Sequence, residues 1–191
     1  YTNVPIWFMR QAGRYLPEFR DIRKNNPDFI KLCLNSNLVN EISLQPSKRF
    51  DLDATIVFSD ILIIPYGLGQ IVTFQKNFGP LLKNFDLDTL INTTAETFIN
   101  RVQNVYKGLN LIKSNMNYKN QSLIGFAGSP WTLLIYMLHK QSPKKDFNIN
   151  NFFKDETIID NLLLKLEEFI CLHIDKQIEA GANVIQIFDS W

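Results

Sequence analysis

Four short apolar runs punctuate the chain: Ile6-Trp7-Phe8-Met9, Ala54-Thr55-Ile56-Val57-Phe58, Leu123-Ile124-Gly125-Phe126-Ala127 and Val184-Ile185-Gln186-Ile187-Phe188. Each is bounded by polar, glycine or proline residues. Continuous apolar runs of this length predict strands buried on both faces, as in a parallel sheet. Helical periodicity fills the intervals. Ser36 reads as the cap of a helix carrying Leu38, Val39 and Ile42, with Pro46 as a kink or an early end. Asp88 to Lys113 predicts one long helix with Leu90, Phe98, Val102, Val105 and Leu109 on one side. Ile158, Leu162, Leu166, Phe169, Ile170, Ile174 and Ile178 recur at three-to-four spacing, and Gly181 stands where a left-handed cap would close that helix. Strands separated by crossovers this long argue for an α/β fold.

The residues that leave the runs narrow the architecture. Arg10 follows the first, Ser59 and Asp60 the second, Gly128-Ser129-Pro130 the third, Asp189 and Ser190 the fourth. In a (β/α)8 TIM barrel, C-terminal strand ends converge on one mouth, which holds the active site. A doubly wound sheet produces the same pattern, but no G-x-G-x-x-G follows any of the four runs, so the barrel is the better expectation. A whole barrel takes about 250 residues. With 191 residues, the chain is expected to form a single domain, residues 1–191, holding about the first four β/α units of a longer protein.

Composition excludes more than it assigns. Apolar residues make up 46% and charged residues 20%, enough to build a core, and the formal net charge of +1 gives no global attraction to nucleic acid or to an anionic membrane. No apolar run reaches the length of a membrane span. The two cysteines, Cys33 and Cys171, have no metal-type spacing and suggest a reduced, intracellular protein. A cytoplasmic location is expected; the chain starts at Tyr1 rather than at a methionine, which constrains this little and makes a plastid the alternative if a presequence has been removed.

Local charge is less even. Arg10, Arg14, Arg20, Arg23 and Lys24 face only Glu18 and Asp21 near the start of the chain, a local excess of three positive charges. Charge count alone favours a solvated face. Gly13, which permits backbone angles closed to other residues, sits beside a run expected to be buried and tips the reading toward an anion site for Arg10 and Arg14. Asp60 lies between apolar neighbours, where an acid is costly unless paired; capping the next helix or meeting an arginine is the ordinary alternative. Pro130 suits the first turn of a helix. Tyr136 falls inside that apolar helix and reads as a core tyrosine. His139 and His173 have no carboxylate or cysteine at ligand spacing and are expected to be structural or surface residues, and no metal site is expected.

Four stretches, "PIWFMRQAGRYLPEFR", "LQPSKRFDLDATIVFSDILIIPYGLG", "LIGFAGSPWTLLIYM" and "GANVIQIFDSW", resemble the uroporphyrinogen decarboxylase family in order and spacing. The resemblance runs over essentially the whole chain, which matches a little over the N-terminal half of a family member. It implies a (β/α)8 barrel, a homodimer, no cofactor, and conversion of four acetate side chains of uroporphyrinogen to methyls in haem synthesis. It further implies that Arg10, Gln11, Ala12, Gly13 and Arg14 hold substrate carboxylates, with Arg23 as another binding arginine. Asp60 would meet the pyrrole N–H groups, and Tyr136 and Ser190 would touch substrate; Asp60, Arg10 and Arg14 would carry the catalysis. After Met137 the chain reads "LHKQSPKKDFNINN" where family members have a glycine-rich loop, so residues 139–151 depart from the pattern.

The chemistry asks for such residues. Loss of carbon dioxide directly from a pyrrole acetate leaves an unstabilised carbanion, whereas prior protonation of the adjacent ring carbon makes a cationic ring that accepts the electrons. The site needs a proton donor, a fixed negative charge beside the ring nitrogens, and cations for the substrate carboxylates. Two other readings are a corrinoid-linked methyltransferase of the same superfamily and a non-catalytic module that binds a tetrapyrrole or another anion.

Overall fold

Three of the four apolar runs become strands, and the first does not. The computed structural model describes residues 4–9, 12–75, 78–116, 121–142 and 156–190. Within Ile6–Met9 there is no strand, and Ile6, Phe8 and Met9 are exposed. A strand needs neighbours for its backbone groups. Ile6 ties this segment to Asp53: its N–H donates to the Asp53 carboxylate and its carbonyl accepts from the Asp53 N–H.

The described chain divides into two compact units that interleave along the sequence. The first takes Tyr1–Asp60, Gln103–Phe126 and Ile174–Gln186; the second takes Ile61–Val102, Ala127–His173 and Ile187–Trp191.

In the first unit, α1 (Pro17–Asn25) begins with proline, whose fixed φ and missing N–H suit a first helical turn. Asp28 caps α2 (Phe29–Cys33) by accepting from the Lys31 N–H. Asn35, not the expected Ser36, caps α3 (Ser36–Leu44): its side-chain oxygen accepts from the Leu38 N–H at 3.2 Å. An amide oxygen one residue earlier reaches the same orphan donors. Pro46 ends the helix and opens a 3-10 turn, Pro46–Lys48. Leu16, Phe19, Leu32 and Ile42 form a buried cluster, with Ala12, Ile22, Leu38 and Phe58 packed against it. The strand β1 (Ala54–Ile56) follows, shorter than its apolar run.

In the second unit, α4 (Ile63–Gly67) leads into an antiparallel hairpin, β2 (Val72–Gln75) with β3 (Gly79–Leu82), which the four-run pattern did not include. Gly79 takes a positive φ there. The long helix expected from Asp88 is broken into α5 (Leu87–Asn92) and α6 (Ala95–Asn115). Asp86 caps the start of α5 through the Thr89 N–H; the break follows at Thr93, which turns extended while its hydroxyl donates to the Thr89 carbonyl, and the Thr94 hydroxyl then accepts from the Thr97 N–H to start α6. The expected apolar face survives, with Leu90, Phe98, Val102, Val105 and Leu109 all buried.

The strands β4 (Ser122–Gly128) and β5 (Val184–Phe188) complete a three-stranded sheet in the order β1-β4-β5, separated in sequence by α7 (Pro130–His139) and α8 (Glu156–Glu179). β1 and β4 are parallel, with Ala54 beside Ser122 and Ile56 beside Ile124. β4 meets the expectation of burial on both faces, but β5 does not: it lies at the sheet edge, and Val184 and Ile187 are exposed. Gly181 closes α8 at φ 106°, as its position predicted, although Ile178 is exposed rather than buried.

Candidate functional site

Asp60 is placed by what precedes it. The Phe58 N–H donates to Ser43 Oγ at 2.8 Å, and the Ser43 hydroxyl donates to the Val39 carbonyl at 2.6 Å. The Phe58 ring meets Phe19 and Phe29 edge-on, at centroid distances of 5.6 and 5.7 Å. Such aromatic pairs add about 0.5–1.5 kcal/mol each beyond area burial. Two residues on, Asp60 is half-buried, and α4 starts after Leu62.

Cys33 reports the field around Asp60. Burial pushes its thiol pKa well up, the Asp60 charge pushes the same way, and the Arg23 charge opposes them. Asp60 and Arg23 thus act on one buried thiol. Arg23 is also engaged locally: its Nη1 donates to the Asn26 carbonyl just past α1, and its guanidinium lies 5.3 Å from the Phe29 ring centroid. That is a helix-end and cation–π role beside the binding role the resemblance implies.

The arginine stretch differs from expectation in one respect. Gly13 is not among the positive-φ glycines, and a Cβ there would meet the Tyr15 ring at 3.7 Å, an ordinary contact. The turn, closed by a 3.0 Å bond from the Leu16 N–H to the Gly13 carbonyl, does not require glycine's freedom. Arg20 fastens it, donating to the carbonyls of Arg14 and Tyr15 at 2.9 and 3.2 Å. Glu18 is taken by Arg49 in a bidentate pair at 2.7 and 2.9 Å, which holds the Glu18 carboxyl below its usual pKa. Arg14 is exposed and joins no ion pair among the described residues, so its charge faces solvent. Ala12 packs on the neighbouring core, while Arg10 and Gln11 lie outside the described residues. So does most of the divergent stretch, residues 143–151.

The second unit holds Tyr136 and Ser190. Tyr136, on α7, is half-buried, with its hydroxyl 3.4 Å from Ser142 Oγ. The segment leaving β5 is bound to the start of α7 by successive contacts. The Ser129 N–H donates to the Phe188 carbonyl at 2.9 Å. The hydroxyls of Ser129 and Thr132 donate to Asp189 Oδ1 at 2.7 and 3.0 Å, and the Ser190 N–H donates to Thr132 Oγ1 at 2.9 Å. The two hydroxyls hold the Asp189 carboxyl below its usual pKa. Ser129 also caps α7 through the Thr132 N–H, with Pro130 at the first helical position as expected. The sequence reading found both ends of this contact, but not Thr132. Its signal was a threonine three residues after a capping serine.

His173 is fully buried, edge-on to Phe98, and burial pushes its pKa down to about 4. His139 is the last residue of α7. Cys33 and Cys171 are free thiols. Among the described residues, no group of three or more His, Cys, Asp or Glu could hold a metal, and no helix is long and apolar enough to cross a membrane.

The family model described as Uroporphyrinogen decarboxylase (URO-D) matches residues 1–191. Relatives named uroporphyrinogen decarboxylase include one from Rickettsia bellii, 42% identical over 192 residues, covering 100% of this chain and 56% of the relative. Another, from Rickettsia felis, is 40% identical over 100% of this chain and 55% of its own length. One from Campylobacter jejuni is 41% identical over 98% of this chain and 56% of the relative. The chain thus spans a little over half the length of the curated relatives it matches. Among solved structures, a methyltransferase from Methanosarcina mazei superposes with a TM-score of 0.73 at 15% identity, covering 98% of this chain and 54% of that one. At that identity the likeness concerns the fold.

Proposed function

Because this chain belongs to the uroporphyrinogen decarboxylase family, we propose that the protein removes carbon dioxide from the four acetate side chains of uroporphyrinogen, giving coproporphyrinogen. The observation that carries this reading is the family match across all of residues 1–191. The parallel β1–β4 pairing and the long helical crossovers fit successive units of a (β/α)8 barrel. A homodimer is part of the same proposal.

In this reading Asp60 supplies the fixed negative charge. Its carboxylate accepts hydrogen bonds from the pyrrole N–H groups and opposes the positive charge made when the ring carbon is protonated. The packing of Phe58 holds that carboxylate's backbone in place. Arg10 and Arg14, with Gln11, Ala12 and Gly13 around them, receive substrate carboxylates, and guanidinium suits them through its planar fork. Arg23 adds positive potential from the end of α1. Tyr136 and Ser190 contact the tetrapyrrole. A methyltransferase reading has in its favour only a shared fold at 15% identity.

The test is anaerobic incubation of the full-length protein with enzymatically made uroporphyrinogen, resolving products by carboxylate number. Stepwise loss from eight carboxylates to four is expected. Tight binding with the eight-carboxylate compound unchanged would replace the enzyme by a binding module.

A further inference from the structure

Ser190 leaves β5 at the end of a strand edge, where its backbone has run out of sheet partners. Three consecutive residues are nevertheless fixed: Phe188 through its carbonyl, Asp189 through its carboxylate and Ser190 through its N–H. Two of these three attachments pass through one side chain. Thr132 is fully buried, and its hydroxyl has one proton and two acceptor sites. An ionised carboxylate only accepts, so the Thr132 proton goes to Asp189 Oδ1, 3.0 Å away, and an oxygen lone pair is left facing the Ser190 N–H at 2.9 Å. Each contact orients the other.

We infer that Thr132 is a positioning residue, setting through Asp189 and the Ser190 backbone where Ser190 meets the substrate; this rests on the decarboxylase reading above. Thr132 itself, buried on the first turn of α7, touches none of the reacting atoms in this account. Valine at this position keeps the shape and removes both contacts, while serine keeps both.

The experiment compares Thr132→Val, Thr132→Ser, Ser190→Ala and the Val/Ala double variant in the full-length protein. It measures Ser190 amide hydrogen exchange and steady-state decarboxylation of uroporphyrinogen. Thr132→Val should deprotect the Ser190 amide and lower kcat/KM about tenfold, the effect of losing one charge-assisted contact. Thr132→Ser should recover most of both. In the Ser190→Ala background the valine change should cost less than about threefold more, because a residue acting through Ser190 has nothing left to position. A purely structural threonine would lower kcat/KM equally in both backgrounds, and that outcome overturns the inference. A protected Ser190 amide in Thr132→Val overturns it too. If the wild-type protein neither binds nor decarboxylates uroporphyrinogen while valine still frees the amide, the decarboxylase reading falls, and the assigned role falls with it.

Discussion

Replacing Gly125 by alanine should be among the costliest small changes in the first unit. On one side of this residue in β4, the Gln177 side chain from α8 donates to the Phe126 carbonyl and accepts from the Phe126 N–H, both at 2.9 Å. The amide thus takes the place of a neighbouring strand for one residue. A Cβ on Gly125 would lie 2.7 Å from Gln177 Oε1 and 2.9 Å from Ile185 Cδ1, closer than real side chains approach. Gln177 must then withdraw. Each lost bond is worth about 0.5–1.5 kcal/mol, and a buried backbone group left unpaired costs about 1–3 kcal/mol. With the crowding of Ile185 included, Gly125→Ala should cost about 3 kcal/mol. Urea unfolding should show the midpoint falling by about 1–3 M at ordinary m-values. Gln177→Ala breaks the same two bonds and clears the space, so the double variant should cost much less than the sum of the singles. Additive costs, or a Gly125→Ala loss under about 0.5 kcal/mol, would show that the amide bridge does not hold the strand.

Three other outcomes are expected. His173 has its pKa lowered from 6.5 to about 4, so the unfolded chain binds the extra proton between those values; stability should be fully present above pH 6.5 and fall toward pH 4 by up to about 3 kcal/mol. Urea midpoints across that range should be visibly flatter for His173→Gln, and an unchanged acid limb would rule His173 out as its source. Asp60→Asn should leave uroporphyrinogen binding nearly intact while slowing the single-turnover rate about a hundredfold, since the ring cation exists only near the transition state; a lower melting temperature with an unchanged rate would make Asp60 structural. Arg14→Lys should lower kcat/KM about tenfold despite keeping the charge, and wild-type kinetics would return Arg14 to a solvated surface.

Much of the fold was legible because periodicity reports burial directly. The apolar face of α6, most of that of α8, the first-turn proline of α7 and the left-handed Gly181 were all written in local chemistry. Ile6–Met9 was not, because apolarity says that a segment seeks burial, not that its backbone will find a strand beside it. The break between α5 and α6 was hidden by a continuous hydrophobic stripe: Thr93 turns extended to end one helix and the Thr94 hydroxyl starts the next without disturbing the spacing of buried residues. For the candidate site, the strand-end rule singled out Asp60, Asp189 and Ser190, and the structure binds Asp189 and Ser190 to the head of α7. The sequence reading misjudged why Gly13 is there, since the turn it occupies is open to other residues.

What the strand-end rule does not supply is the means of holding such residues still, and here one solution recurs. Where sheet pairing runs out, a buried backbone group still needs a partner. In the first unit, β1 last bonds β4 through the Val57 N–H, and the next N–H, of Phe58, turns to Ser43 on α3. Phe126 turns to Gln177 on α8, and in the second unit the chain beyond Phe188 turns to Ser129 and Thr132 at the head of α7. Ser43, Gln177 and Thr132 are buried polar residues on largely apolar helix faces. Each would be a costly anomaly if it served its helix alone. Their polarity serves the strand segment opposite, where a backbone group is bonded by a helix side chain instead of a neighbouring strand. At Ser43, Gln177 and Thr132, a polar residue interrupting an apolar helical stripe is thus a sequence signal in its own right: it points to the backbone group that the residue braces.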